Sequence, residues 1–212
     1  RLRGTASHNG NTSIRGWYLL FLGAIITHPL LDCFTAYGTQ LLQPFHEHRA
    51  AWNTISVADP IYTLPFLFLL ISAGRKLKGS TIRRKLNNAG LVVSSIYLGL
   101  TIINHFNVAA VMEHSIQLQK IPATRYVIQP SILNNILWQG TVQGKRDNYY
   151  FGRYAILDEK RSFEPFKPVD GRHEVLENYQ DTRELRILNW FTQGYIGYMP
   201  LDSGKVQVND LR

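Results

Sequence analysis

The stretch Gly16 to Phe34, GWYLLFLGAIITHPLLDCF, limits what this chain can fold into more than any other part of it. It has roughly the twenty residues needed to cross a hydrocarbon core at about 1.5 Å rise each. Trp17 and Tyr18 stand where interface aromatics belong. Two further apolar stretches follow. Ile55 to Ala73 opens on Asp59-Pro60 and is expected to kink at Pro65, and Ala89 to Met112 carries Asn104, His105 and Asn107 in its second half. The reading is about three transmembrane helices. Buried core helices of a soluble protein remain the alternative, because each stretch contains polar residues and two contain internal prolines.

Charge sets an orientation for these crossings. The net charge is +8, which suits nucleic acid or an anionic membrane surface. The basic residues crowd at Arg75, Lys76, Lys78, Arg83, Arg84 and Lys85, between two apolar stretches, as in a cytoplasmic loop. Arg1, Arg3 and Arg15 precede the first crossing, and Arg49 lies in the following loop. The sides therefore alternate in, out, in, everything after the third crossing is extracytoplasmic, and no nucleic acid is expected. The single cysteine, Cys33, excludes an intramolecular disulfide and any multi-cysteine zinc site, and reads as a small buried hydrophobe.

From Ile121 onward the pattern turns to short alternating runs. Ile136 to Val142 and Tyr149 to Leu157 predict a hairpin around a polar turn at 143–148, and Glu159 to Arg172 reads as a loop or linker. Asp181 to Phe191 predicts a short amphipathic helix with Leu185, Ile187, Leu188 and Trp190 inward. Tyr195 to Met199 and Lys205 to Val208 predict a strand pair around Asp202-Ser203-Gly204. The expected organisation is a cytoplasmic stretch over 1–15, a membrane all-α region over 16–115, and a small α+β soluble module over 116–212.

The residues that carry chemistry sit in the first stretch. His28 and Asp32 are four apart and share a helical face, which Thr35 continues. An imidazole and a carboxylate so spaced can share a divalent metal, or the carboxylate can orient a ligating ring. Pro29 removes a backbone hydrogen bond beside them and disfavours helical geometry at His28. Asp59 is expected at similar depth on the same side, although Asp59-Pro60 also reads as the N-cap and first-turn proline of a helix. A carboxylate in a crossing segment is costly unless paired, which favours function; near the segment's end it can also simply reach water. His105, with Asn104 and Asn107, reads as a helix-packing polar contact or a further ligand. His46 and His48 read as solvated loop residues, and His8 and His173 lie in polar stretches.

The run Thr27-His28-Pro29-Leu30-Leu31-Asp32-Cys33-Phe34-Thr35-Ala36-Tyr37-Gly38, continuing to Phe45, resembles the family of predicted inner-membrane, metal-dependent hydrolases also described as LexA-binding membrane proteins. VADPIYTLPFL from Val57 to Leu67 is similar to its next segment, and the similarity extends through Asn134-Asn135-Ile136-Leu137-Trp138 to Asp210-Leu211-Arg212. The resemblance implies His28 and Asp32 as metal ligands, Thr35 and Gly38 as supports of the site, and Asp59 as its candidate partner. The family's His-Arg-x-x-Thr-His-Ser motif is not found, and the chain starts at Arg1. It is therefore expected to be the larger, C-terminal part of such a protein.

The expectation is a multi-pass inner-membrane hydrolase with its site near the outer face. Its divalent metal would be zinc on His28 and Asp32, its catalytic candidates Asp59 and Thr35, and its substrate a lipid or phosphoester reached from the bilayer. A non-enzymatic membrane scaffold is the alternative, and a transporter a third class.

Overall fold

A computed structural model describes residues 13–145, 148–202 and 204–212. Arg1, Arg3 and His8 of the N-terminal stretch, Arg146 and Asp147 of the hairpin turn, and Ser203 lie outside the described residues. The chain forms two compact units, Arg1–Trp52 and Asn53–Arg212.

The first unit is built on helix α1, Ile14–Asp32. Ser13 caps it, its hydroxyl accepting from the Gly16 amide at 3.2 Å. No residue of α1 is buried, and apolar side chains such as Leu20, Phe21, Ile25 and Leu30 stand exposed along it. A helix apolar all round belongs in lipid, and 19 residues cover about 28 Å. Pro29 does not break the helix, which continues to Asp32, with the Pro29 carbonyl accepting from the Cys33 amide at 3.2 Å. Beyond it the chain folds back. The Trp52 amide donates to the Cys33 carbonyl at 2.7 Å, Thr39 and Ala50 form a bridge, and the rings of Phe34 and Trp52 meet edge to face at 4.6 Å. Cys33 is fully buried, as its apolar surroundings predict.

The second unit holds helices α2, Pro60–Gly74, and α3, Thr81–Leu118. The expectation of three long crossings is corrected here. Among the described residues two helices, α1 and α3, are long and apolar enough to span a membrane, while α2 has 15 residues. The reason is local. Asp59 caps α2 by accepting from the Ile61 amide at 2.9 Å and Pro60 occupies its first turn, so the apolar Ile55–Val57 lie outside the helix. At about 1.5 Å per residue α2 covers about 22 Å, short of a 30 Å hydrocarbon core. The helix runs through Pro65. In contrast, α3 begins earlier than its apolar stretch. Ser80 caps it, and Arg83, Arg84 and Lys85 form its first turns instead of a loop.

The last turns of α3 carry the β region. Strands β1 Arg125–Pro130, β2 Leu137–Gln143, β3 Asn148–Ala155 and β4 Lys167–Asp170 form one antiparallel sheet in the order β1-β2-β3-β4. The predicted hairpin is β2 with β3, in a register that sets Trp138 opposite Tyr154. Val108 and Met112 of α3 pack with Ile128, Trp138, Val142, Tyr154 and Phe163 in the main core. A Cβ at Gly140 would come within 2.9 Å of both Met112 and Phe163, so helix and sheet meet where a side chain is missing. The segment read as a linker is structured. The Phe163 amide donates to Ser115 Oγ at 2.8 Å, the Phe166 amide donates to Gln119 Oε1 at 2.9 Å, and Lys167–Asp170 pairs with β3.

A second pair, β5 Ile196–Pro200 with β6 Val206–Asp210, is antiparallel as predicted. A 3₁₀ segment, His173–Tyr179, and helix α4, Arg183–Phe191, pack on it through Val175, Leu176, Leu185 and Leu188. Ile187 and Trp190, expected inward, are exposed. The pairs join where Thr141 Oγ1 donates to the Leu211 carbonyl at 2.6 Å and Tyr149 Oη to that of Gly194 at 3.0 Å.

Candidate functional site

Helical spacing brings His28 and Asp32 together at the end of α1. Nε2 of His28 lies 3.6 Å from Oδ2 of Asp32, and the side chains are 79% and 45% exposed. Two donors bound to one zinc at about 2.0–2.1 Å in tetrahedral geometry stand about 3.3 Å apart, so the pair fits two corners of such a site with little adjustment. A catalytic zinc takes three protein ligands. Within each unit taken by itself, no group of three or more His, Cys, Asp and Glu gathers among the described residues. His28 and Asp32 supply two such donors at this helix end.

Thr35 does not continue the helical face, because α1 ends three residues before it. Its hydroxyl instead donates to the Asp32 carbonyl at 2.8 Å and accepts from the Gly38 amide at 3.3 Å. Thr35 thus fixes the turn that follows the pair. Gly38 has φ +61°, and a Cβ there would strike the Ala50 carbonyl and come within 2.6 Å of the Ala51 Cβ. Only glycine lets the two sides of this fold-back close. His46 and His48 are exposed loop residues, the His48 amide donating to His46 Nδ1 at 2.8 Å.

Asp59 lies in the second unit and is 2% exposed. Beside its cap contact through Oδ1, its Oδ2 accepts from the Tyr97 hydroxyl at 2.8 Å. Both oxygens are held, and each keeps a further lone pair. The N-cap reading of Asp59-Pro60 is therefore realised, and the hydroxyl of Tyr97, a residue without a motif around it, is the partner that sequence reasoning did not find.

Asn104 and His105, late in α3, bind side chain and backbone of the same unit. Asn104 Nδ2 donates to Asn135 Oδ1 and Asn135 Nδ2 to the Thr54 carbonyl, both at 2.8 Å, while Nδ1 of His105 is 3.3 Å from the Asn53 carbonyl. The Leu133 amide donates to Ser56 Oγ at 3.0 Å. The Asn53 and Thr54 carbonyls and the Ser56 hydroxyl of this non-helical segment are thus each answered by protein groups. Asn135, only 3% exposed, is the centre of this cluster. The sequence marked Asn104, His105 and Asn107 as a contact between helices or a further ligand, whereas Asn104 and His105 meet the β1–β2 turn and the Asn53 carbonyl.

An exposed apolar α1, an apolar α3 with arginines in its first turns and a short α2 with a buried aspartate cap define a membrane protein with a compact β region attached. The chain belongs to the YdjM inner membrane protein family, whose model matches residues 3–108. That match takes in α1, α2 and most of α3, ending where α3 turns to packing on the sheet. The resemblance read from the sequence is supported over this part, at the level of an inner-membrane family. No curated protein and no solved structure matches the chain.

Proposed function

We propose that this chain is a multi-pass inner-membrane protein carrying a metal-dependent hydrolytic centre near the outer face, with His28 and Asp32 as two ligands of a divalent metal, zinc by its donor chemistry. The 3.6 Å approach of His28 Nε2 to Asp32 Oδ2 on an exposed helix end carries this reading. Zinc held there would supply a water activated for hydrolysis. Thr35 orders the turn beside the pair, and Asp59, with its carboxylate oriented by Tyr97, is the candidate catalytic carboxylate of the second unit. A lipid or phosphoester substrate suits a helix end in the outer leaflet.

The same reading supplies a topology. Arg15 starts α1 and Arg83, Arg84 and Lys85 start α3, so positive residues keep both starts cytoplasmic, and the β region after α3 is extracytoplasmic. The stretch from Asn53 to Gly74 completes a traverse in two parts, a non-helical segment held on α3 and the 15-residue α2.

Metal analysis of the full chain tests the proposal. One equivalent of zinc in the purified protein, lost in His28→Ala and Asp32→Asn and recovered on adding zinc to the chelated wild type, supports it; metal unchanged in both variants, or absent from the wild type after zinc addition, sinks it. A second reading, a non-enzymatic membrane scaffold, is favoured by the full engagement of Asp59 and Asn135 in structural hydrogen bonds. In that case His28→Ala and Asp32→Ala lower stability and change no activity.

A further inference from the structure

A cavity of about 350 Å³ lies between the end of α3 and the sheet. Asn107, Val111 and His114 line it from one face of α3, at i, i+4 and i+7, and Tyr154, Ile156 and Arg161 line it from the β region. Its apolar floor ends in three polar heads. Among the described residues Asn107, His114 and Arg161 stand exposed with no hydrogen-bond or ion-pair partner in the protein, and two of the carboxylates near them are engaged elsewhere. Asp158 accepts from the Ala155 amide at 3.1 Å, and Glu113 accepts from the Tyr126 hydroxyl at 2.8 Å.

The depth of this cavity follows from α3. Large apolar side chains stand exposed from Leu91 to Phe106, about 24 Å of helix, and Asn107 is the next residue. The turn between β1 and β2 marks the same level independently. Asn135 is bonded to Asn104, and the neighbouring Ile132 and Leu133 are 82% and 53% exposed, an apolar tip suited to the bilayer edge. The cavity begins one turn beyond, where the headgroup layer lies just outside the hydrocarbon.

We infer that this cavity binds the phosphodiester headgroup of an anionic phospholipid, with Arg161 and the Asn107 amide on the phosphate, His114 at its rim, and the acyl chains leaving along the exposed apolar face of α3. The chemistry matches: a guanidinium without a carboxylate partner takes phosphate oxygens in a fork, and an apolar wall continuous with lipid takes the first methylenes. The inference rests on α3 crossing the bilayer.

Native mass spectrometry of the full chain in detergent, titrated with phosphatidylglycerol or phosphatidylcholine, tests it. Phosphatidylglycerol is expected to bind about tenfold more tightly, because the quaternary ammonium of phosphatidylcholine offsets its phosphate charge and is repelled by Arg161, while phosphatidylglycerol keeps its net negative charge. Arg161→Gln and the cavity-filling Ala110→Phe remove the preference, while Arg186→Gln on α4 leaves it. Glycerol phosphate, lacking acyl chains, is expected to compete weakly. Equal binding of the two lipids, a preference that survives both cavity variants, or full displacement by glycerol phosphate would overturn the assignment. The crossing itself is read separately, in a Cys33→Ser background, by protection of Ile96→Cys from a water-soluble maleimide; protection at residue 96 without a lipid preference refutes the cavity alone.

Discussion

Replacing Asn135 by leucine removes the amide that ties the Asn53–Ser56 segment to α3 and the β1–β2 turn. The volume is nearly conserved, so the loss is one of hydrogen bonds. Asn104 Nδ2 loses its acceptor and the Thr54 carbonyl a donor, each at 2.8 Å in the wild type. A buried polar group deprived of its partner costs about 1–3 kcal/mol. Asn104 is half-buried and recovers part of that from water, so Asn135→Leu is expected to cost about 2–4 kcal/mol and Asn104→Leu about 1–2 kcal/mol. The double variant removes both ends of one bond and should be less destabilised than the sum of the singles by about 1 kcal/mol. Unfolding of the full chain in mixed detergent micelles, followed by tryptophan emission, reads these differences. Trp138 is a suitable reporter, being fully buried with its indole N–H donating to the Asn135 carbonyl at 3.1 Å. Strict additivity of the two single losses would refute the coupling, and a change below about 0.5 kcal/mol for Asn135→Leu would refute the structural role altogether.

Other expectations follow from single contacts. Asp59→Ala removes a helix cap and the acceptor of Tyr97, and should cost about 1–2 kcal/mol, of which Asp59→Asn restores a part, in the same unfolding assay. Gly38→Ala forces a left-handed alanine against Ala50 at about 1–2 kcal/mol or more, loosening the fold-back over Cys33, so maleimide labelling of that buried thiol should rise about tenfold. Burial, followed by its bond to Glu113, pushes Tyr126 up to about 12. Because the folded state holds this proton more tightly than the unfolded chain, the stability it supplies is full below about pH 10 and is lost as pH rises toward 12; Tyr126→Phe should flatten the unfolding midpoint over that window. Gly140→Leu overpacks the contact with Met112 and Phe163 and should cost about 1–3 kcal/mol, seen as a lower thermal midpoint.

What could be read before folding was what composition and spacing encode. The length of Gly16 to Phe34 announced α1, the four-residue interval brought His28 and Asp32 together, and alternation announced the β2–β3 and β5–β6 pairs. Hydropathy could not separate Ile55–Val57 from α2, since both are apolar and only the Asp59 cap divides them. Lys167–Asp170 hid behind a proline and two charged residues, which an edge strand tolerates because one side of it needs no partner. Tyr97 and Asn135 could not be anticipated. Their roles come from residues 38 and 31 positions away in the chain, and no local pattern reports such a meeting.

The continuity of α3 has a mechanical consequence. Its 38 residues form one rod of about 57 Å with no proline inside it, and Val108 and Met112 clamp its far end into the sheet. If α3 crosses the bilayer as proposed, a rod gripped at one end acts as a tiller: a change of bilayer thickness that alters its inclination would swing the β region through the same angle.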